Sequence, residues 1–284
     1  MAFEDAFDAV LSIVACRDRL DEAIEVMAAR PQWAPIVSRL GAIRSLPSRA
    51  RRAQLDGYLA RIVEHDFADQ GHQVRRPVTL RAWLAAYEAA TATTTTYNAI
   101  LNAATASESN KPAKTTTTIA YRDVLSQLWL LDPIPGWSTT RNAFVRLGSA
   151  PKHHLADPAL AARLLHVDTA ALLDNAVTGY KVSLKEPLLG ALFESLVTLS
   201  VRVYAQAAEA SVHHLRTRDG DHEVDLIVQR DDKRVLALEV KLTPTVTDAN
   251  VIHLRWLAAR LGDDLVDAAV ITTGQHAYRR CGGA

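Results

Sequence analysis

Apolar and polar residues alternate most sharply in the last third of the chain. Val224, Leu226 and Val228 fall on one side of a period-two pattern, and Glu223, Asp225 and Ile227 on the other. After the charged turn Arg230-Asp231-Asp232-Lys233-Arg234 the alternation resumes, with Leu236, Leu238, Val240 and Leu242 set against Val235, Ala237, Glu239 and Lys241. Period two is the signature of a strand with two distinct faces, so the pattern predicts a β-hairpin. Arg218-Asp219-Gly220-Asp221 reads as the turn that precedes it. Upstream, Pro187 stands where helices favour proline, and the helix runs on from Leu188 through Val197. Downstream, Pro244 ends the second strand. Asp248 is positioned to cap a helix carrying Val251, Leu254, Leu257 and Leu261, closed by Gly262, and Leu265 to Thr272 reads as a further strand. This order predicts a mixed sheet with helices on it.

Before Gly136 the period is helical. Phe7, Val10, Leu11 and Val14, then Leu20, Ile24 and Met27, recur at helical spacing up to Pro31. A basic helix follows Pro47, with Leu55, Tyr58, Leu59 and Ile62 towards a core. Arg49, Arg51, Arg52 and Arg61 lie mostly on its other faces, as a solvated surface or as a phosphate-contacting stripe. A helix begins at Val78 and runs through Tyr87. It meets Thr91 to Thr96, which is too β-branched to sustain a helix without tertiary support. A short helix over Tyr97 to Ala104, a polar loop over 107–112 and a helix capped by Thr115 to Thr118 come next. That last helix carries Ile119, Val124, Leu125, Leu128 and Leu131. Two short helices, a turn, and a longer helix followed by extended chain resemble a winged helix-turn-helix. The fold class expected is thus α+β or α/β: a helical region over residues 1–75, a winged-helix-like segment over 76–138, and an α/β domain over 139–284. Within the last, a strand is expected at Ala143 to Leu147 and helices at Pro158 to Leu165 and Thr169 to Ala176. His153 and His154, adjacent on extended chain, point to opposite sides and do not share one ion.

The chain has 284 residues, 49% apolar and 23% charged, enough for two domains with a substantial core. A formal net charge of +0 means that any nucleic-acid surface is local. Two cysteines, Cys16 and Cys281, at opposite ends make neither a disulfide framework nor a zinc cluster. The acidic start and the short apolar run Ala9 to Ala15 fit neither a secretory signal nor a membrane span, so a soluble, cytoplasmic protein is expected. No Gly-x-x-x-x-Gly-Lys-Ser/Thr phosphate loop occurs, and no ATP site of that kind is expected.

Register sharpens the hairpin into chemistry. A three-residue loop, Asp231-Asp232-Lys233, sets Arg230 against Arg234 and therefore Asp225 against Glu239, with Lys241 next along the same face. Two carboxylates directly opposed repel unless something cancels their charge. A divalent cation does so, and oxygen ligands suit Mg²⁺ or Mn²⁺ better than zinc. Glu194 shares a helix face with Gly190, Ala191, Val197, Thr198 and Val201, where an unpaired carboxylate is costly to bury. It is therefore expected to point at the same cation. The bland alternative is a plain ion pair between Glu239 and Lys241, with Asp225 as a further partner of Lys241.

The ordered series Glu…Asp…Glu-x-Lys resembles the PD-(D/E)XK nuclease superfamily. Leu189-Gly-Ala-Leu-Phe-Glu-Ser-Leu-Val197, then Gly220-Asp-His-Glu-Val-Asp-Leu-Ile-Val228 and Leu238-Glu-Val-Lys-Leu-Thr243, is similar to the uncharacterised C-terminal domain of prokaryotic AAA-type ATPases. Arg49 to Asp66 and Ser149 to Leu160 extend the similarity to roughly residues 40–278. The resemblance implies a restriction-endonuclease-like α/β domain in which Asp225, Glu239 and the Val240 carbonyl hold Mg²⁺ or Mn²⁺. Glu194 would bind the ion directly or through water, and Lys241 would orient the attacking water or stabilise phosphate charge. The implied partners are nucleic acid, DNA foremost, and an ATPase chain; no membrane is implied. Two departures stand out. The ATPase module is missing, and the sequence stops at Cys281-Gly-Gly-Ala, where the family continues, as expected of a fragment or a stand-alone descendant. The alternative function is a non-catalytic DNA- or protein-binding module.

Overall fold

Leu80, Trp83, Leu84 and Tyr87 recur three and four residues apart, and in the computed structural model they are the buried face of helix α2 (Pro77–Ala89). The structure describes residues 48–72, 74, 77–106, 115–138, 149–167, 185–217 and 219–279. The expected helices before Pro31, the strand at 143–147 and the helix at 169–176 lie outside the described residues.

Helix α1 (Ser48–Arg61) continues through a π-helical turn (Ile62–Asp66) and one α turn (Phe67–Asp69), which together bury Ile62, Val63 and Phe67. After α2 the threonine-rich stretch is not helical. Thr96 ends it by accepting a hydrogen bond from the Ala99 amide at 3.2 Å, which caps α3 (Tyr97–Thr105). Helix α4 (Thr115–Gln127) takes Thr115 to Thr118 into its first turn, where the sequence placed them before it. Helix α5 (Pro158–Leu164) is capped by Asp157, which accepts from the Ala159 amide at 2.7 Å. Ile62, Phe67, Trp83, Tyr87, Ile100, Leu125, Leu130, Leu155 and Leu160 form one core among these helices. Between α4 and α5, two extended segments bridge antiparallel at Leu131–Leu155 and Ile134–Lys152.

The second core surrounds a five-stranded mixed sheet in the order β1 (Gly136–Trp137), β2 (Ser211–Arg216), β3 (Glu223–Gln229), β4 (Val235–Val240), β5 (Leu265–Ile271). The outer pairs, β1–β2 and β4–β5, are parallel and the two inner pairs antiparallel. Helix α6 (Lys185–Ala207) covers one face, packing Val197, Val201 and Ala205 over Leu226, Leu236, Leu238 and Val240. Helix α7 (Ile252–Leu261) covers the other, with Leu254 and Leu257 against Ile227, Val235 and Ala237. Residues 188–207 of α6 are long and apolar enough to span a membrane by length and composition alone; 33% of that window is buried, with Val197, Val201 and Ala205 packed on the sheet. Around the expected boundary at 138 the chain changes sides twice. Gly136–Trp137 lies in the sheet, whereas Leu155 and Leu160 return to the helical core.

The hairpin has the expected register. Arg230 donates its amide to the Arg234 carbonyl at 3.1 Å, and Lys233 closes the turn with φ +71°, the left-handed residue of a three-residue loop. Leu226 pairs with Leu238 and Val228 with Leu236; the ladder ends there, one residue short of Asp225 and Glu239, which the same register would set across from each other. On its other edge β3 carries a bulge that the alternation did not show. His213 pairs with Ile227 but Leu215 with Val224, so Asp225 and Leu226 together face the single residue His214. A bulge bends the strand and re-aims its side chains.

Candidate functional site

The bulge and the end of the β3–β4 ladder fall at the same residue, Asp225. Beyond Leu226–Leu238 the ladder is not continued, and the Val240 amide donates instead to Asp225 Oδ2 at 2.9 Å. Lys241 turns its own amide the other way, to Ile271 of β5 at 2.9 Å. Successive residues of a strand face opposite neighbours, so both the amide and the carbonyl of Val240 face the β3 side, where Asp225 lies.

The carboxylates that sequence spacing singled out do gather here, and so does a cation, but the cation belongs to the chain. Lys152, only 1% exposed, places Nζ 2.8 Å from Glu194 Oε1, 3.1 Å from Asp225 Oδ1 and 3.3 Å from Glu223 Oε1. Lys241 Nζ stands 2.6 Å from Glu239 Oε1 and 3.6 Å from Asp225 Oδ2. The result is an alternating row: Glu194, Lys152, Asp225, Lys241, Glu239, with Glu223 beside Lys152 and also held by Arg216 at 3.1 Å. Asp225 is the hinge of the row, and Glu194 and Glu239 sit at its two ends. The charge-cancelling partner expected of Glu194 is therefore Lys152, where the sequence suggested a divalent ion.

Six charged groups in so little water reshape one another's protonation. Burial lifts Glu194, and the charge of Asp225 adds to it, so that its carboxyl is pushed up to about 7 despite Lys152. Burial and Asp225 likewise push Glu239 to about 7, against the pull of Lys241. Asp225 is the exception. Burial alone would raise it, yet Lys152, Lys241 and the Val240 amide outweigh burial and hold it below the usual carboxylate range. Lys152 is raised for the complementary reason, since Asp225 and Glu194 overcome the desolvation that would lower it. Asp225 is thus the committed anion, while Glu194 and Glu239 are poised near neutrality.

One buried polar atom of the row, Glu239 Oε2, makes no hydrogen bond of good geometry among the described residues, although the Asp225 backbone lies near enough to lower the Glu239 carboxyl. Together with Asp225 and the β3-facing carbonyl of Val240, it provides hard oxygen donors of the kind Mg²⁺ or Mn²⁺ prefers. Among the described residues no group of three or more His, Cys, Asp or Glu side chains is spaced for a metal ion. The fit is therefore to two carboxylates, a backbone oxygen and water, with Glu194 joined to Asp225 through Lys152. His153 and His154 take no part. His153 Nε2 bonds to the Thr95 carbonyl at 2.7 Å between Tyr87 and Tyr97, and His154 is buried, its basicity driven down to about 3 by desolvation and by the nearby Lys152, His153, Arg202 and His214.

Spacing missed two members of the row. Glu223 was legible, being two residues before Asp225 in the same alternation. Lys152 was not, because nothing local marks a lysine in Pro151-Lys-His-His-Leu155 as a partner of residues 42 and 73 positions away.

Fold and site together define a mixed α+β chain whose helical part and sheet share one buried row of charges. Residues 42–171 match a domain of unknown function (DUF8612), and residues 189–284 match another (DUF4143), which is often found at the C-terminus of AAA-ATPase proteins. The first matched segment supplies Lys152 and the second the remaining five residues. The chain is similar to an uncharacterized protein of Mycobacterium bovis (Mb2031c) and one of Mycobacterium tuberculosis (Rv2008c). Each is 26% identical over 225 residues, covering 78% of this chain and 44% of the relative. The chain thus spans less than half the length of these curated relatives. No solved structure matches it.

Proposed function

We propose that the chain is the C-terminal part of an AAA-type ATP-binding protein, and that its α/β domain is nuclease-like, acting on nucleic-acid phosphodiesters with a divalent cation held at Asp225, Glu239 and Val240. The observation that carries this reading is the parting of β3 from β4 at Asp225. It leaves two opposed carboxylates, a buried carboxylate oxygen at Glu239 and an ammonium at Lys241 on one spot. When bound, Mg²⁺ or Mn²⁺ would acidify a coordinated water and offset charge on the phosphate. Lys241, held by Glu239, is placed to donate to a phosphate oxygen or orient water as it leaves that carboxylate. Lys152 and Glu194 act one step back, fixing the rotamer of Asp225. Helices α2, α3 and α4 followed by the Leu131–Leu155 and Ile134–Lys152 bridges support a winged-helix reading of the helical part, a fold suited to holding a duplex near the site.

A second reading rests on Lys152 itself. An ammonium already bonded to Glu194, Glu223 and Asp225 suits a domain that serves, without a metal, as a DNA- or protein-docking platform. Plasmid and oligonucleotide cleavage in Mn²⁺ by the whole chain separates the two, with Asp225→Asn and Lys241→Ala as controls. The nuclease reading expects cutting that both substitutions reduce by at least a hundredfold. Folded protein that retards DNA on a gel but cuts nothing, or variants that cut as well as the parent, would leave the docking reading in its place.

A further inference from the structure

A second pair of metal-ligating groups lies where the turn before β3 meets α7. His222 ends the tight turn between β2 and β3. Its backbone is pinned from both ends, since its amide donates to Thr217 Oγ1 at 3.1 Å and its carbonyl accepts from the Thr217 amide at 2.9 Å. Its ring lies flat on Trp256 of α7, centroids 4.0 Å apart and planes 13° apart. His253 stands three residues before Trp256, on the same face of α7. The two imidazoles meet nearly perpendicular, at 81°, with Nδ1 of His222 3.4 Å from Nδ1 of His253.

Two ring nitrogens brought together in this way need one electrophile between them. A shared proton makes a long N–H···N bond at 3.4 Å, longer than the roughly 2.7–3.2 Å of ordinary N–H···O bonds. A divalent ion bound at about 2.0–2.1 Å to each nitrogen sets tetrahedral ligands about 3.3–3.4 Å apart. We propose that His222 and His253 form a two-histidine site for Zn²⁺, open to Cu²⁺ and Ni²⁺ as probe ions, that ties the β2–β3 turn to α7, with water completing the coordination. Imidazole pairs select these ions over Mg²⁺ and Ca²⁺. Trp256 fixes the ring plane of His222, and a half-buried pair of rings on two elements loses little freedom on binding. The site is independent of the nuclease reading, as neither histidine touches Glu194, Asp225, Glu239 or Lys241.

Trp256 also supplies the assay. Cu²⁺ or Ni²⁺ at His222 sits against its indole and quenches its fluorescence. Titration of the whole chain with Cu²⁺ and with Ni²⁺ should show saturable quenching and a rise in melting temperature. Both should weaken at least tenfold in His222→Asn and in His253→Asn, and both should persist in Asp225→Asn and Glu239→Gln. Trp256→Phe should keep the melting shift while losing most of the quenching. If both histidine variants titrate like the parent, or if Asp225→Asn or Glu239→Gln is the variant that abolishes binding, the ion is elsewhere and the proposal fails. No saturable binding below millimolar metal would likewise overturn it. Mn²⁺-dependent cleavage is read separately, so loss of the nuclease reading leaves this result standing.

Discussion

Replacing Lys152 with methionine removes one ammonium and keeps the apolar stem. In the native chain that ammonium bonds Glu194 at 2.8 Å, Asp225 at 3.1 Å and Glu223 at 3.3 Å. Without it, three carboxylates face one another in a pocket where Glu194 is already near half protonation at pH 7. Breaking a buried ion pair from one side costs about 3–5 kcal/mol, because the remaining charge has neither water nor partner. For a chain of this size that corresponds to roughly 6–20 °C of melting temperature. The pH profile should change as well. In the variant Glu194, which Lys152 holds down in the native chain, rises further above its unfolded value, so the folded form holds a proton that the unfolded form releases, and stability falls as pH rises from acid to neutral. Melting followed by circular dichroism from pH 5 to 8 measures both effects, and Lys152→Met/Glu194→Gln should recover part of the loss. If Asp225 also holds a divalent ion, millimolar Mn²⁺ should stabilise the variant more than the parent. A loss below about 1 kcal/mol with an unchanged pH profile would refute the claim that Lys152 balances the row.

Glu88 offers a test remote from the site. It is fully buried, its Oε2 accepts from the Thr91 hydroxyl at 3.0 Å, and burial pushes its carboxyl up to about 8. The folded state keeps the proton between about pH 4.5 and 8 while the unfolded state loses it, so the titration of Glu88 adds no cost in acid and about 3 kcal/mol at pH 7. Urea unfolding of Glu88→Gln should therefore show a gain over the parent that grows from pH 5 to 8, and a constant difference would contradict this protonation. Gly274 packs where a Cβ would lie 2.7 Å from the Pro244 carbonyl oxygen, backbone that has little room to yield. Gly274→Ala should lose about 1–3 kcal/mol of stability by denaturant melts, and a neutral effect would mean that the 244–274 contact is loose.

What the sequence made legible was whatever a short window determines. The five charged residues of the turn set the hairpin register, and register alone brought Asp225 to Glu239. The face of α6 bearing Glu194 among small residues announced a buried carboxylate in need of a partner. Neither window contains that partner. Lys152 arrives on an extended segment anchored in the helical half, where its backbone bridges Ile134 and the following His153 amide donates to the Thr93 carbonyl at 2.9 Å. The β3 bulge was illegible for a similar reason, since it exists only by comparison with β2, a strand whose own alternation is broken by His213 and His214.

The origin of Lys152 has a consequence for how the two halves work together. Its Nζ lies in the sheet's charge row, while its backbone and its neighbours His153, His154 and Leu155 are buried against α2, α3 and α4. Any ligand that shifts those helices relative to the sheet must move the ammonium or drag Asp225 with it. Breaking either bond leaves buried charge uncompensated, so the helical half and the site are coupled through one side chain. The coupling also runs in reverse: a cation at Asp225 weakens its bond to Lys152 and with it the hold on the extended segment 149–155. That reciprocity follows from linkage, and it makes Lys152 the position at which binding to the helices and occupancy of the carboxylates would report on each other.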